Sequence, residues 1–156
     1  MARATNKRDE LLGSKVVYQA YIRSFQDSNG DGIGDLPGIT RRLDYLADLG
    51  IDYLWITPFF PSPQRDNGYD VSDYRAIEPV YGTMADFEEL SREAERRGIG
   101  LMLDMVFNHT STEHAWFRRA LAGDPTYLAY YKFVDAAPGA TAESPGEPPT
   151  NWESKF

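Results

Sequence analysis

Short, nearly continuous apolar runs alternate along this chain with longer stretches in which apolar residues recur every three or four positions. Runs of the first kind predict strands buried on both faces, and stretches of the second kind predict amphipathic helices. The first run, Val16 to Phe25, is rich in β-branched and aromatic residues and predicts a strand. Leu36 to Leu49 predicts a helix: Leu36, Ile39, Leu43, Leu46 and Ala47 share a face, Asp35 stands at the cap, Pro37 suits the first turn and Gly50 suits the position after the end. Tyr53 to Thr57 predicts a second buried strand, stopped by Pro58. Met84 to Arg97 predicts a second helix with Thr83 and Asp86 as an approximate capping box, Phe87, Leu90 and Ala94 inward, and Gly98 as stop.

The third run, Gly100 to His109, is the most informative. It predicts a buried parallel strand ending in polar groups, and ligands of open α/β sheets sit at the carboxyl ends of strands. Side-chain alternation places Asp104, Val106 and Asn108 on one side, with His109 opening the loop. Asp104 interrupts an apolar run, so some other part of the fold must reach its carboxylate. A third helix is expected from Thr112 to Ala122, with Trp116, Phe117, Ala120 and Leu121 inward and Glu113 closing a capping box on Thr110. Past Gly123 the periodicity stops, and Asp135 to Pro149 is dense in Pro, Gly, Ala and Glu.

Strand and helix in alternation imply right-handed β-α-β units and a parallel sheet. Two architectures fit that order. A doubly wound sheet would be nearly complete at this length, whereas a (β/α)8 barrel needs roughly 250 residues and would make these 156 its amino-terminal part.

Composition narrows the function. A net charge of -8 leaves no basic stripe to displace counterions, which argues against nucleic acid and anionic membranes and for a small neutral or cationic ligand. The absence of cysteine excludes disulfides and thiolate metal sites. Met1 to Ser14 is polar with no apolar core of a signal peptide, so the cytoplasm is the expected location. No Gly-rich phosphate loop and no Gly-x-Ser-x-Gly turn is present, which weakens both nucleotide binding and the doubly wound alternative.

Three segments carry candidate chemistry. Asp27, Asn29, Asp31, the Ile33 carbonyl and Asp35 place oxygen atoms at every second position around Gly32, as a loop wrapping calcium does, although Gly38 stands where such a loop would supply its last carboxylate. An Asp/Asn/Gly-rich turn explains the same spacing. In the long connection from Phe59 to Gly82, Asp66 suits sugar hydroxyls and Tyr69 a sugar ring face, against the alternative of an Asn-Gly turn with a surface Asp. His109 and His114 do not have the spacing of a zinc pair on one helix; His109 is expected as a donor in a pocket and His114 as an exposed helix residue.

Taken together, Tyr18-Gln19 to Asp35, the Thr57-Pro58 strand end, Asp66-Asn67-Gly68-Tyr69-Asp70 and Asp104-Met105-Val106-Phe107-Asn108-His109 resemble the α-amylase superfamily, glycoside hydrolase family 13. The likeness runs from about Val16 to Phe156 and is of the α-glucosidase branch; segments 108–114 and 149–156 are similar to those of trehalose-6-phosphate hydrolases. One departure is Ala20-Tyr21-Ile22, where the family usually has an apolar residue, Tyr and Pro.

The resemblance implies an α/β fold: the first three β/α units of the barrel over 16–122, after a polar extension at 1–15, then the start of an inserted domain over 123–156. It implies that Asp66, Tyr69 and His109 line a glucose subsite, with Asp104 and Asn108 buried beside them, and that Asp27, Asn29, Asp31, Ile33 and Asp35 bind structural calcium. Retaining glycosidases need two carboxylates roughly 5 to 5.5 Å apart, and the family takes its nucleophile and its acid/base from later strands, so no catalytic residue is expected in this segment. The expected partner is a small α-glucoside, above all trehalose 6-phosphate, with Arg65, Lys132 and Lys155 as candidate phosphate contacts. The resemblance leaves open an oligo-1,6-glucosidase, an isomerase or transglycosylase of the same fold, and a sugar-binding module without activity. Three strands alone would also leave barrel edges exposed to self-association.

Overall fold

A computed structural model describes residues 13–136, 138, 139 and 141. Three parallel strands, β1 (Val17–Ala20), β2 (Tyr53–Ile56) and β3 (Gly100–Leu103), lie side by side in chain order. Their register aligns Val17 with Tyr53 and Tyr53 with Gly100, so Ala20, Ile56 and Leu103 end on one line. The ladder goes one rung further on both sides of β2, where the Thr57 amide donates to the Ala20 carbonyl (3.1 Å) and the Asp104 amide to that of Ile56 (3.3 Å).

The first strand is shorter than its composition predicts. The chain leaves β1 at Tyr21 and forms a turn of helix, α1 (Ile22–Phe25), with Ile22 fully buried. The loop that follows closes back on that turn: the Gly34 amide donates to the Arg23 carbonyl (2.8 Å) and the Asp35 amide to the Gln26 carbonyl (3.1 Å). This approach explains two glycines, because a Cβ on Gly34 would run into the Ile22 carbonyl and one on Gly38 into the Gln26 carbonyl.

The helix expected over 36–49 is two short ones, α2 (Leu36–Arg41) and α3 (Leu43–Asp48). At Arg42 the backbone opens (φ -99, ψ 1) and its amide reaches Ile39 rather than one residue further back, a tighter turn that interrupts the helix. The apolar stripe survives the break, for Leu36, Ile39, Leu43 and Leu46 are all fully buried. Asp35 caps α2, accepting from the Gly38 amide at 2.6 Å. The next helix, α4 (Met84–Arg96), has the expected capping box: Thr83 Oγ1 accepts from the Asp86 amide and Asp86 Oδ2 from the Thr83 amide. It packs on α2, and the two cover one face of the sheet with Leu54, Ile56, Leu90, Ala94 and Ile99 in the core between.

Beyond β3 the prediction holds less well. The strand ends at Leu103 instead of continuing to Asn108, and Met102 is 43% exposed, because with Gln19 it lies on the face of the sheet that the helices do not cover. The following helix, α5 (Ala115–Leu121), starts later than expected, and the box between Thr110 and Glu113 is not formed. His114 caps it instead: its backbone closes a turn onto Ser111, and its Nδ1 accepts from the Trp116 amide at 3.1 Å. Of the four residues expected inward only Ala120 is buried, Phe117 is half-buried, and Trp116 and Leu121 are exposed. A further turn, α6 (Pro125–Leu128), is capped by Asp124 and begins with a proline, a start signal that the loss of periodicity after Gly123 obscured. Most of the segments 1–15 and 137–156 lies outside the described residues, and with them Lys155 and the Pro149–Phe156 motif. No described helix is long and apolar enough to cross a membrane.

Candidate sugar-binding site

Three connections meet at the carboxyl ends of the strands. The longest, 57–83, is tied down by Asp70, which accepts from the Ser62 hydroxyl (2.6 Å) and from the Arg65 (3.0 Å) and Asp66 (3.1 Å) amides. Burial pushes the Asp70 carboxyl up, but those donors outweigh it and hold the group below the usual carboxylate value. Around this anchor the backbone is strained: Gln64 and Asn67 have φ of 60° and 50°, and Gly68 sits at 98° with the Pro58 carbonyl 3.1 Å from where a Cβ would be. Strain of this kind persists only where the surroundings over-determine the chain, and it gathers at ligand sites.

Asp70 thereby presents the residues that precede it in the sequence. Tyr69 crosses to the end of β3, and its hydroxyl donates to Asp104 Oδ2 at 3.1 Å. This is the partner that the interrupted apolar run demanded. Burial, then the Asp104 charge, raises the Tyr69 phenol above its ordinary value, so it stays protonated and a donor. Asp66 is half-buried near Tyr69; its amide is held by Asp70 and its carbonyl by the Tyr69 amide, while its carboxylate makes no hydrogen bond to a described residue.

From the other side comes the loop after β3. Its Val106 has φ of 47°, an outlier for a β-branched residue. The His109 ring reaches the Tyr69 backbone carbonyl through Nε2 at 3.0 Å, and Asn108 Nδ2 stands 3.3 Å from its Nδ1. A carbonyl only accepts, so Nε2 of His109 carries a proton, and in the neutral ring Nδ1 is the acceptor that faces the Asn108 amide. Asp66, Tyr69, Asp104, Asn108 and His109 thus stand on one rim, but the burial that the resemblance implies for Asp104 and Asn108 is not found: Asp104 is half-buried and Asn108, like His109, is exposed. The expectation fails because the chain leaves the sheet at Asp104, so Asn108 stands on a loop and not on a strand.

The burial of the two histidines is the reverse of expectation, with His109 exposed and His114 buried. His114 is 5% exposed, its ring lies tilted against Trp116 (4.5 Å between centroids) and Tyr74 (5.6 Å), and burial pushes its imidazole down, with Asp73 opposing. Arg65, a candidate phosphate contact, lies exposed and paired with Glu113 at 3.3 Å. Sequence reasoning assigned no part to Tyr74, Ser62 or Asp70. The signal for Asp70 was present in the Asp66–Asp70 run, two carboxylates four residues apart of which only one is free to face a ligand.

The oxygen-rich loop is closed on itself. Asp27 accepts from the amides of Asn29, Gly30 and Gly32, Asn29 and Asp31 bond each other, and Asp31 accepts from the Ile33 amide. The backbone amides of Gly30 and Gly32, foremost among those donors, hold the Asp27 carboxyl below its ordinary value, so it is ionised at neutral pH. The donor set is all oxygen and suits a hard cation, and Gly32 has the positive φ (87°) that the sharp turn of a calcium loop requires. Asp35 is the poorer match, since it is buried, caps α2 through the Gly38 amide and holds Ser28 with its other oxygen. Among the described residues no three His, Asp or Glu side chains form a group that would hold an ion by themselves, so a cation here would rely on the Asn29 amide and the Ile33 carbonyl as well.

Residues 19–156 match the family model described as the alpha amylase catalytic domain. The trehalose-6-phosphate hydrolase of Escherichia coli (strain K12) is 55% identical over 141 residues, 90% of this chain and 24% of that protein. The oligo-1,6-glucosidase of Heyndrickxia coagulans is 52% identical over 142 residues, again 90% of this chain and 24% of that protein. Among solved structures, trehalose-6-phosphate hydrolase of Bacillus licheniformis superposes with a TM-score of 0.81 at 53% identity, over 91% of this chain and 25% of that one. A mutant of MutB in complex with the substrate sucrose gives 0.77 at 53% identity, over 81% of this chain and 23% of that one. The chain thus spans about a quarter of the length of the relatives it matches.

Proposed function

The chain belongs to the family of alpha-amylase catalytic domains, its three β/α units being part of a β/α barrel, and from that premise we propose that it forms the glucose-gripping side of an α-glucoside hydrolase acting with retention. The observation that carries the reading is the pair Tyr69–Asp104, joined at 3.1 Å across two connections, with the His109 ring docked on the Tyr69 carbonyl. In it the Asp66 carboxylate, which no described residue engages, accepts from sugar hydroxyls; Tyr69 offers its ring face; and His109 and Asn108 present polar groups at the open edge. Asp104 orients Tyr69.

Within this reading the substrate of the whole protein is trehalose 6-phosphate, cleaved to glucose and glucose 6-phosphate. The identity to trehalose-6-phosphate hydrolases supports it. The family likeness implies that the two carboxylates cleavage requires come from later strands; of the acids at this rim, Asp70 is engaged by its own loop and Asp104 by Tyr69. These 156 residues alone therefore leave every glucoside intact, and the segment from 123 onward opens an inserted domain.

The test is turnover by a protein of the relatives' full length, offered trehalose 6-phosphate, isomaltose and sucrose in parallel. Preference for trehalose 6-phosphate supports the proposal. Preference for isomaltose makes it an oligo-1,6-glucosidase, and rearrangement of sucrose without hydrolysis an isomerase. Cleavage by the 156-residue chain alone overturns the division of labour.

Calcium belongs to the same reading, held by Asp27, Asn29, Asp31 and the Ile33 carbonyl with Asp35 behind them, where it would clamp the loop between β1 and α2. A cation bound only to the folded chain stabilises it by about 2.7 kcal/mol at a hundred times its dissociation constant. Calcium should accordingly raise the unfolding temperature, and Asp27→Ala should abolish the rise. An unfolding temperature indifferent to calcium and to chelator removes the ion from the proposal.

A further inference from the structure

Tyr74 lies in the long connection, outside the residues that face the sugar, yet its hydroxyl reaches under the loop that carries two of them. It stands 2.8 Å from the Val106 carbonyl and 2.8 Å from the His109 carbonyl. Both partners only accept, so the phenol proton is shared between them and the hydroxyl closes the arc 106–109 like a clasp. The arc needs one, since it starts at the outlying backbone of Val106, a conformation that costs energy unless something outside holds it. The ring is itself wedged: it packs edge-on against Phe60 (5.8 Å) and lies tilted against Phe107 (5.9 Å), His114 (5.6 Å) and Trp116 (6.2 Å). Its hydroxyl therefore has little freedom to swing away.

We propose that Tyr74 is a positioning residue for the sugar-facing loop: by holding the Val106 and His109 carbonyls it fixes the His109 imidazole on the Tyr69 carbonyl, and so sets its single proton on Nε2. What the loop grips rests on the proposed function, but the clasp stands on its own geometry and is tested without sugar. The same scaffold ties the site to α5, because the His114 ring that packs on Tyr74 also caps that helix.

The chain has only two histidines, which makes the test direct. Nitrogen-15 spectra of the imidazoles are recorded in mildly alkaline buffer for the wild-type chain and for Tyr74→Phe. In the wild type each ring shows one protonated and one bare nitrogen. In Tyr74→Phe the His109 pair is expected to collapse towards a common average as the ring loses its fixed tautomer, while His114, still capping α5, keeps its separation. Unchanged His109 nitrogens in the variant overturn the proposal, whatever the protein's substrate proves to be. If both histidines shift, the wild type decides: a Tyr74 hydroxyl proton that exchanges slowly with water and cross-relaxes with Val106 and His109 supports the clasp, and one that exchanges at the solvent rate overturns it.

Discussion

The helix-backed side of the sheet and the rim at its carboxyl ends are held by different forces. Behind the sheet, Leu36, Ile39, Leu43, Leu46, Leu54, Ile56 and Leu90 are fully buried, and their backbone lies in ordinary helix and strand geometry. At the rim, the described apolar burial is thinner, three non-glycine residues have positive φ, and the connections are pinned by side chains: Asp70 on its own loop, Tyr69 on Asp104, Tyr74 on two carbonyls. Non-directional packing supplies the stability, and directional hydrogen bonds aim the groups proposed to meet a ligand.

That contrast breaks most easily at Leu54. Leu54→Ala should destabilise the chain by about 2 to 5 kcal/mol, read as a fall in the urea midpoint, since it opens a cavity at a fully buried site in the central strand. Tyr69→Phe removes a hydrogen bond to a carboxylate and should cost about 1.5 to 3 kcal/mol at most, while weakening glucoside binding by the full-length protein. A larger stability loss from Tyr69→Phe than from Leu54→Ala would reverse the assignment of forces.

The smallest effect is a pH dependence. Burial holds the His114 imidazole below its ordinary 6.5, so the unfolded chain binds the proton first on acidification. Its contribution is therefore complete above the ordinary value and is lost as pH falls through the lowered one. His114→Asn keeps an oxygen for the Trp116 amide but does not titrate, so its stability should fall less than that of the wild type between about pH 7 and about pH 5. Parallel curves would show that the ring cap is not what senses acid.

The two regions also differ in how far they can be read from the chain. Periodicity located α4 and its capping box to within a residue, because Thr83, Asp86 and Gly98 act locally. It joined α2 to α3, since the stripe Leu36–Leu46 runs through a break made by one backbone turn at Arg42. At the rim, spacing and family likeness brought Asp66, Tyr69 and Asp104 together, but an apolar run could not show where β3 stops. Nor could it show that His114 turns inward while His109 stays exposed, because both meet Tyr74, which is distant in sequence from either.

The order β1–β2–β3, the same in sequence and in space, bears on biosynthesis. A chain leaving the ribosome amino end first pairs each new strand with one already made, and no rung of this ladder waits for a segment still to be translated. Assembly of these three strands can thus run in the direction of translation, one β/α unit at a time.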